Sequence, residues 1–226
     1  MTFSILGRCA TTGMVGVAIT TSSICVGSRC PHVRPGVGAV ATQNVTLPSI
    51  GPRVLDRLSG GQPPEQALAS VLAGQGVNPD SRQVIVLDRE GRSAQHSGAK
   101  TLGTNAVAPG HDCIAAGNLL KSTALPGVMA AAFARSQGHL AERLLTALEA
   151  GLYEAGGEMG PVHSAALLVA DKQPWPLVDL RVDWDDFDPI KALRGLWTAY
   201  QPQMADYVTR ALDPASAPAY GVPGDE

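Results

Sequence analysis

The stretch TFSILGRCATTGMVGVAITT, residues 2–21, decides the fold. Two apolar segments, Phe3 to Gly7 and Met14 to Thr21, flank Thr11-Thr12-Gly13, which has the composition of a hairpin turn. In the second segment large apolar residues alternate with glycine, alanine and threonine. This pattern is typical of a strand covered on both faces, with one face packed very closely. The chain is therefore predicted to open with a strand pair inside the protein.

Beyond this hairpin, strands and helices follow one another in blocks. Further strands are predicted at Val37 to Asn44, Val84 to Leu87, Ser93 to His96, Asp112 to Ala116, Ser164 to Ala170 and Leu177 to Asp183. Helical spacing covers Ile50 to Leu58, Pro64 to Leu72, Ala124 to Arg135, Leu140 to Ala150 and Pro189 to Leu212. We expect loops that shape a pocket at Ser23 to Pro35 and Leu102 to Pro109.

Blocks of this kind favour an α+β fold with two mostly antiparallel sheets packed face to face and helices outside them. The predicted architecture is a four-layer α-β-β-α sandwich. We expect a single domain over residues 1–213. Residues 214–226, rich in proline, alanine and glycine, are expected to form an extended tail.

Composition excludes several classes of function. With 17 basic and 20 acidic residues, a net charge of −3 and no basic stretch, the chain is not expected to bind nucleic acid. No segment approaches the roughly 18 to 20 apolar residues of a membrane helix, and the start lacks the features of a signal peptide. We therefore expect a cytoplasmic protein with no membrane partner.

The four cysteines form no C-x-x-C pair, and neither they nor the histidines show metal-ligand spacing. We expect reduced, mostly buried thiols, no metal and no cofactor.

Thr2 is the most informative residue for chemistry. A threonine directly after Met1 is small enough for the methionine to be removed, which leaves a hydroxyl and a free α-amine on one residue. Such an amine titrates at about pH 7.7 to 8.0, so it can accept the hydroxyl proton near neutral pH. The predicted strand that begins here would hold this nucleophile rigidly. The alternative is that Met-Thr is an ordinary start without catalytic meaning.

Eight stretches resemble the domain-of-unknown-function family 1028 over nearly the whole chain. They are Thr2-Phe3-Ser4-Ile5, Gly16-Val17-Ala18, Gly36 to Gln43, Gly51-Pro52, Ser97-Gly98-Ala99, Ala116 to Leu120, Leu140 to Leu145 and Ser164 to Val169. The resemblance implies the α-β-β-α sandwich of the N-terminal nucleophile (Ntn) hydrolases. It also implies a hydrolase-like site at the start of the first strand.

In enzymes of that class a backbone N–H or an asparagine side chain stabilises the oxyanion that forms when the nucleophile attacks an amide. Asn118, which follows Gly117 at a strand end, is the candidate donor. The alternative is a turn residue that tolerates a left-handed backbone.

Three further residues are candidates for substrate binding. Gln43 and Asn44 end the third predicted strand with adjacent polar side chains, although they could equally cap the loop toward Pro48 or form a turn. His163 enters a late strand and is a candidate for substrate binding or proton relay. The alternative for His163 is a structural histidine.

The second predicted strand ends in Thr20-Thr21-Ser22-Ser23. Many Ntn hydrolases have a basic residue in this neighbourhood that tunes the nucleophile. This chain offers hydroxyls instead. Ser22 and Ser23 are therefore candidates for substrate binding, unless they are simply solvated. Arg29 or Arg8 would supply the positive field, and Arg29 is also a candidate for substrate binding.

These residues together predict hydrolysis of a small amide or carbamoyl C–N bond through an acyl-Thr2 intermediate. The alternative is a non-catalytic protein of the same fold that binds a small ligand or acts as a scaffold. A homo-oligomer is also expected, because five aromatic residues concentrate near the C-terminus, or else these residues pack a terminal helix pair on its own subunit. They are Trp184, Trp197, Tyr200, Tyr207 and Tyr220.

Overall fold

The computed structural model describes residues 1–222, and the last four residues of the predicted tail, 223–226, lie outside the described range. In chain order the strands are β1 (Thr2–Arg8), β2 (Val15–Thr21), β3 (Pro31–Arg34), β4 (Gly38–Asn44), β5 (Arg82–Asp88), β6 (Ser93–Ser97), β7 (Ala106–Gly110), β8 (Cys113–Asn118), β9 (Ser164–Ala170) and β10 (Val178–Val182). The α-helices are α1 (Ile50–Ser59), α2 (Pro64–Leu72), α3 (Leu125–Arg135), α4 (Leu140–Tyr153), α5 (Pro189–Tyr200) and α6 (Met204–Leu212). Short 3-10 turns lie at Val26–Ser28, Pro79–Ser81, Gln201–Gln203 and Pro214–Ser216.

The strands form two antiparallel sheets. One has six strands in the order β10-β9-β2-β1-β8-β7, and the other has four in the order β3-β4-β5-β6. An apolar layer lies between the sheets, α3, α4 and α5 cover the outer face of the larger sheet, and α1 and α2 cover that of the smaller. This arrangement confirms the predicted α-β-β-α sandwich.

The central strand β1 shows why the opening sequence specifies two covered faces. Phe3 and Ile5 belong to the apolar layer beneath the helices, whereas Leu6 belongs to the layer between the sheets. Because side chains alternate along a strand, Thr2 and Ser4 share the inter-sheet face with Leu6. The first hydroxyl of the chain is therefore directed between the sheets rather than into solvent.

The close packing predicted for β2 is present at Gly16. A Cβ at this position would lie 2.7 Å from Leu144 Cδ1 and 2.7 Å from the Leu168 carbonyl oxygen. Gly16→Ala is therefore expected to lower the free energy of unfolding by about 1 to 3 kcal/mol, measured by urea denaturation. Gly195→Ala in α5 is the control, because a Cβ there meets nothing within 4 Å. It should instead stabilise the helix by roughly 0.5 to 1 kcal/mol, and a Gly16 variant as stable as the wild type would contradict the close packing.

Two strands lie where the sequence predicted loops. β3 and β7 each form an edge of a sheet, and each contains a proline, Pro31 and Pro109. Edge strands tolerate proline because one side needs no ladder hydrogen bonds, and this tolerance removes the sequence signal of a strand. The predicted helix from Pro189 to Leu212 is also interrupted, since Pro202 lies in a 3-10 turn between α5 and α6.

The thiols are more exposed than the sequence suggests. All four thiols are free, but only Cys30 and Cys113 are buried, while Cys9 and Cys25 are partly exposed.

No helix within residues 1–222 is both long and apolar enough to cross a membrane. Across the same residues, no three His, Cys, Asp or Glu side chains gather where they could hold a metal ion.

Each of these five aromatic residues contacts its own chain, whereas Phe187, a sixth aromatic residue in the same region, is 97% exposed. Trp197 is buried and donates from Nε1 to Glu142 Oε2 at 2.8 Å, and Tyr200 stacks on Tyr207 with the ring centroids 6.0 Å apart. Trp184 stacks on His163, and Arg210 lies 4.0 Å above the ring of Tyr220. Trp197, Tyr200 and Tyr207 belong to α5 and α6, whereas Trp184 and Tyr220 lie outside these helices.

Oligomerisation stays a prediction, and light scattering checks it. We expect a dimer or larger for the intact chain and a smaller species for a chain that ends at Asp213. A monomeric intact chain would contradict oligomerisation, whereas an unchanged dimer after truncation would exclude the tail from the interface.

Candidate active site

Thr2 lies at the end of the central strand of the larger sheet, with a polar neighbour on either side. It is opposite Thr21 of β2 and Asn118 of β8 in the strand register. Directly opposed residues of antiparallel strands direct their side chains to the same face. Three polar side chains from three strands thus meet at one end of the inter-sheet space.

The Thr2 hydroxyl is held by its neighbours. Its Oγ1 donates to the Met1 carbonyl oxygen at 2.5 Å and lies 3.1 Å from Thr21 Oγ1. The Thr21 hydroxyl also donates to the Met1 carbonyl. Thr2 is only 6% exposed, so its neighbours hold this hydroxyl pair in place. Sequence reasoning noted the run of hydroxyls but did not single out Thr21.

A cavity of about 250 Å³ opens beside these hydroxyls. Of the predicted site residues it brings together Thr2, Ser23, Arg29 and Asn44. Arg29 supplies a guanidinium to the wall, held by a hydrogen bond from Nη1 to the Cys25 carbonyl at 2.9 Å. Met1, Thr21, Val26, Cys30 and Thr46 complete the lining. The cavity is large enough for a small acyl or amide group.

A larger cavity of about 420 Å³ lies elsewhere, next to the turn between β5 and β6. Its charged side chains are already paired, because Arg92 contacts Asp88 at 2.7 Å and Glu90 at 2.5 Å. We therefore assign the candidate site to the smaller cavity, because of the polar groups around Thr2 and not because of its volume.

Gln43 and Asn118 lie in a buried amide network that joins the two sheets. Ser4 Oγ donates to Gln43 Oε1 at 2.7 Å, and Gln43 Nε2 donates to Gln83 Oε1 at 2.8 Å. Asn118 Nδ2 donates to the same Gln83 oxygen at 3.0 Å. Gln43, Gln83 and Asn118 are all fully buried. Neither Gln43 nor Asn118 is among the residues that line the cavity, and Asn118 adjoins it through the strand register with Thr2. Gln83 is a member that the sequence did not reveal.

Two asparagines differ in backbone conformation. Asn118 remains in the strand, and it is the next residue, Leu119, that takes the left-handed conformation, with φ of 52°. Asn44 has φ of 72°, and its amide group donates to the Ser81 carbonyl at 2.8 Å and accepts from the Leu102 N–H at 3.1 Å. The left-handed backbone that was the alternative for Asn118 is therefore found at Asn44, whereas Asn118 keeps a strand conformation.

His163 supports the site through its backbone. Its ring stacks on Trp184 with the centroids 4.4 Å apart, and its Nδ1 lies 3.2 Å from the Asp185 carbonyl oxygen. The backbone N–H of His163 donates to the Thr21 carbonyl at 2.8 Å and so anchors the end of β2. The ring is not among the residues that line the cavity.

Arg8 lies at the opposite end of β1, about 20 Å away at roughly 3.3 Å per residue. It pairs there with Asp112, with 2.5 Å between Nε and Oδ1. The alternative that Arg8 supplies the positive field at Thr2 is therefore wrong.

Glu158 is a residue that sequence reasoning missed. It is 1% exposed and lies beside the start of β1, where it pairs across an isolated bridge with Leu120. Within residues 1–222, neither carboxylate oxygen has a hydrogen-bond partner, although the amide and hydroxyl of Ser22 approach them. Burial raises the pKa of Glu158 to about 8, against the smaller lowering effects of the Met1 α-ammonium and Ser22.

Glu158→Gln is expected to change how stability depends on pH. The pKa rises from its usual 4.5 to about 8 on folding, so between these values the folded chain binds more protons than the unfolded chain. This contribution to stability is complete below pH 4.5 and is lost as the pH rises through 8. Relative to the variant, the wild type should lose up to about 1.4 kcal/mol of unfolding free energy per pH unit in that window.

Urea denaturation at pH 5, 6.5 and 8 checks this expectation. Glu154→Gln is the matched control, because Glu154 is exposed and should leave the pH dependence of the wild type unchanged. Parallel stability curves for the wild type and Glu158→Gln would contradict the assignment.

Comparisons with known proteins agree with this fold. The family model described as "Family of unknown function (DUF1028)" matches residues 2–193. The crystal structure of protein SPO2555 from Silicibacter pomeroyi, which carries the DUF1028 family model, is 32% identical with a TM-score of 0.82, covering 91% of this chain and 89% of that one. Anbu (ancestral beta-subunit) from Yersinia bercovieri is 10% identical with a TM-score of 0.37, over 91% of this chain and 97% of that one, and this likeness supports no inference. No curated protein matches the chain significantly.

Proposed function

This chain belongs to the DUF1028 family, and from that premise we propose that it is an Ntn-type amidohydrolase that cleaves a small-molecule amide or carbamoyl C–N bond. The observation that carries the proposal is the placement of the Thr2 hydroxyl. It lies at the first residue of a central strand, faces a cavity and is 3.1 Å from a second buried hydroxyl, that of Thr21. The strands on either side of Thr2 hold this hydroxyl in place.

The proposed reaction begins with removal of Met1, which gives Thr2 a free α-amine. The amine accepts the Thr2 hydroxyl proton as Oγ1 attacks the amide carbonyl carbon. The C–N bond of the tetrahedral intermediate then breaks, and the amine returns the proton to the leaving nitrogen. Water attacks the resulting acyl-Thr2 ester, gives its hydroxyl to the acyl carbon and restores the hydrogen on Oγ1.

Asn118 and Arg29 are proposed to stabilise the charge that develops. Asn118 Nδ2 uses one hydrogen on Gln83, and its second N–H is the proposed donor to the oxyanion. The bond to Gln83 fixes the amide group before the substrate arrives. Arg29 adds a positive charge to the cavity wall.

A non-catalytic ligand-binding protein is the second candidate, and one observation favours it. With Met1 in place, both threonine hydroxyls donate to its carbonyl and Thr2 has no free amine. A chain that retained Met1 would have the fold and the cavity without the nucleophile.

Two measurements decide between these candidates. Intact mass spectrometry of the protein from its native host should show a chain shorter by one methionine residue. An electrophilic amide probe should then label Thr2, located by peptide mapping. Thr11→Ala, which changes an exposed threonine in the hairpin turn, should label like the wild type. Retained Met1, or a probe that spares Thr2, would favour the binding protein.

A further inference from the structure

Met1 fills a site that contacts both its carbonyl oxygen and its side chain. Its carbonyl oxygen accepts hydrogen bonds from the hydroxyls of Thr2 and Thr21. Its side chain lies against Gly160, where a Cβ would come within 2.7 Å of Met1 Cε and 3.3 Å of Sδ. The positive charge of its α-ammonium favours the ionised form of Glu158, although no ion pair joins the two groups among the described residues. Met1 is thus bound as an aminoacyl group.

Glu158 is the unusual member of this site. The Glu158 carboxyl group is 1% exposed, and its oxygens have no hydrogen-bond partner among the described residues, although the amide and hydroxyl of Ser22 approach them. Such a group is costly to ionise unless a positive charge lies beside it. In the chain as it stands, the charged group beside it is the Met1 α-ammonium. Removal of Met1 would leave the carboxylate facing the vacated space.

We propose that this vacated space is the acyl site of the enzyme and that its substrates are small amides of α-amino acids with a free α-amine, whose ammonium is bound by Glu158. The inference rests on the proposed function, because it takes Thr2 as the nucleophile. Met1 is joined to Thr2 by an amide bond, so it presents the same ammonium, carbonyl and side chain as such a substrate. Gly160 leaves room for an unbranched apolar side chain.

The chemistry of this substrate is an ordinary acyl transfer. Thr2 Oγ1 forms an ester with the aminoacyl carbonyl as the C–N bond breaks, and the leaving amine takes the proton. Water then releases the free amino acid and restores the Thr2 hydroxyl. The ammonium takes no part in bond breaking, so Glu158 is a specificity-determining residue that contacts the substrate.

The kinetic test uses the processed chain and three p-nitroanilides that differ only at the α-position. They are those of L-methionine, N-acetyl-L-methionine and 4-(methylthio)butanoic acid, which lacks the amine. We expect kcat/KM to be about 10- to 100-fold higher for the free amine, the range for one charge-assisted hydrogen bond in a water-poor site. Glu158→Gln should remove this preference by slowing the free-amine substrate alone.

The controls separate binding of the ammonium from a structural role. Glu154→Gln makes the same substitution at an exposed glutamate and should keep the preference. Glu158→Asp keeps the charge and should restore part of it. Equal rates on all three wild-type substrates would overturn the inference and leave the proposed function standing. Equal slowing of all three by Glu158→Gln would also overturn it, since Glu158 would then act on Thr2 itself.

A binding measurement decides the inference if no anilide is hydrolysed. Thr2→Ala, with Met1 removed, should bind L-methioninamide at least about tenfold more tightly than 4-(methylthio)butanamide in calorimetry, and Glu158→Gln in that background should remove the difference. Equal or undetectable binding of both amides would overturn the proposal. Preferential binding without any hydrolysis would uphold the amine site and count against Thr2 as the nucleophile.

Discussion

Thr2→Ala is expected to reduce turnover by at least about 10⁴-fold while leaving the fold intact, because it removes the only atom proposed to form the acyl-enzyme bond. The side chain lost is small and lies at the end of β1, so no large cavity forms in the apolar layers. Alanine also permits removal of Met1, so the variant keeps the same chain start. The measurement is kcat/KM on an amide substrate together with the melting temperature.

Thr2→Ser is the matched variant, because it keeps the hydroxyl and removes only the methyl group. It should retain measurable turnover and remain open to labelling by an electrophilic probe. Wild-type rates in Thr2→Ala would contradict the nucleophile assignment, as would a serine variant as inactive as the alanine variant at normal stability.

Asn118→Ala is expected to lower kcat by about 10² to 10³ with little change in KM, because an oxyanion donor acts mainly in the transition state. The variant also loses one of two hydrogen bonds to Gln83 Oε1, but Gln43 continues to donate to that oxygen. A moderate loss of stability, about 1 to 2 kcal/mol, should accompany the loss of rate.

Ser97→Ala is the control for damage to the network alone. It removes one of the two acceptors of Gln83 Nε2, at 3.2 Å, leaves the Gly117 carbonyl at 3.1 Å in place and does not touch Asn118. Turnover per folded molecule should then stay near that of the wild type. If Asn118→Ala shows a lower melting temperature with normal kcat, Asn118 is a structural residue only.

The sequence predicts the fold well because its signals are local. Alternation in Val15 to Thr21 and the turn at Gly13 specify a hairpin covered on both faces, and the helix blocks follow from spacing. β3 and β7 escape prediction because short edge strands with proline lack that alternation. Their residues therefore look like loops until the neighbouring strands are known.

The site is predictable where its residues follow strand ends. Thr2, Ser23 and Asn44 each start or leave a strand, so the topology brings them to one cavity together with Arg29. Gln83 lies within β5, and its role depends on how one sheet stacks on the other. Glu158 follows two glycines in a loop between α4 and β9, where no periodic pattern marks it. Such contacts are set by tertiary packing alone.

The position of Thr2 in the middle of a sheet has a practical consequence for handling the protein. β1 begins at Thr2, and Met1 packs against Gly160. An affinity tag or fusion partner attached at this end would therefore have to extend from packed residues to reach solvent. It would also convert the amine of Thr2 into an amide. With Thr2 as the proposed nucleophile, recombinant protein that carries such a tag is expected to be inactive even when it is folded. Immobilisation and labelling therefore belong at the opposite terminus, where Ala219 and Tyr220 are exposed.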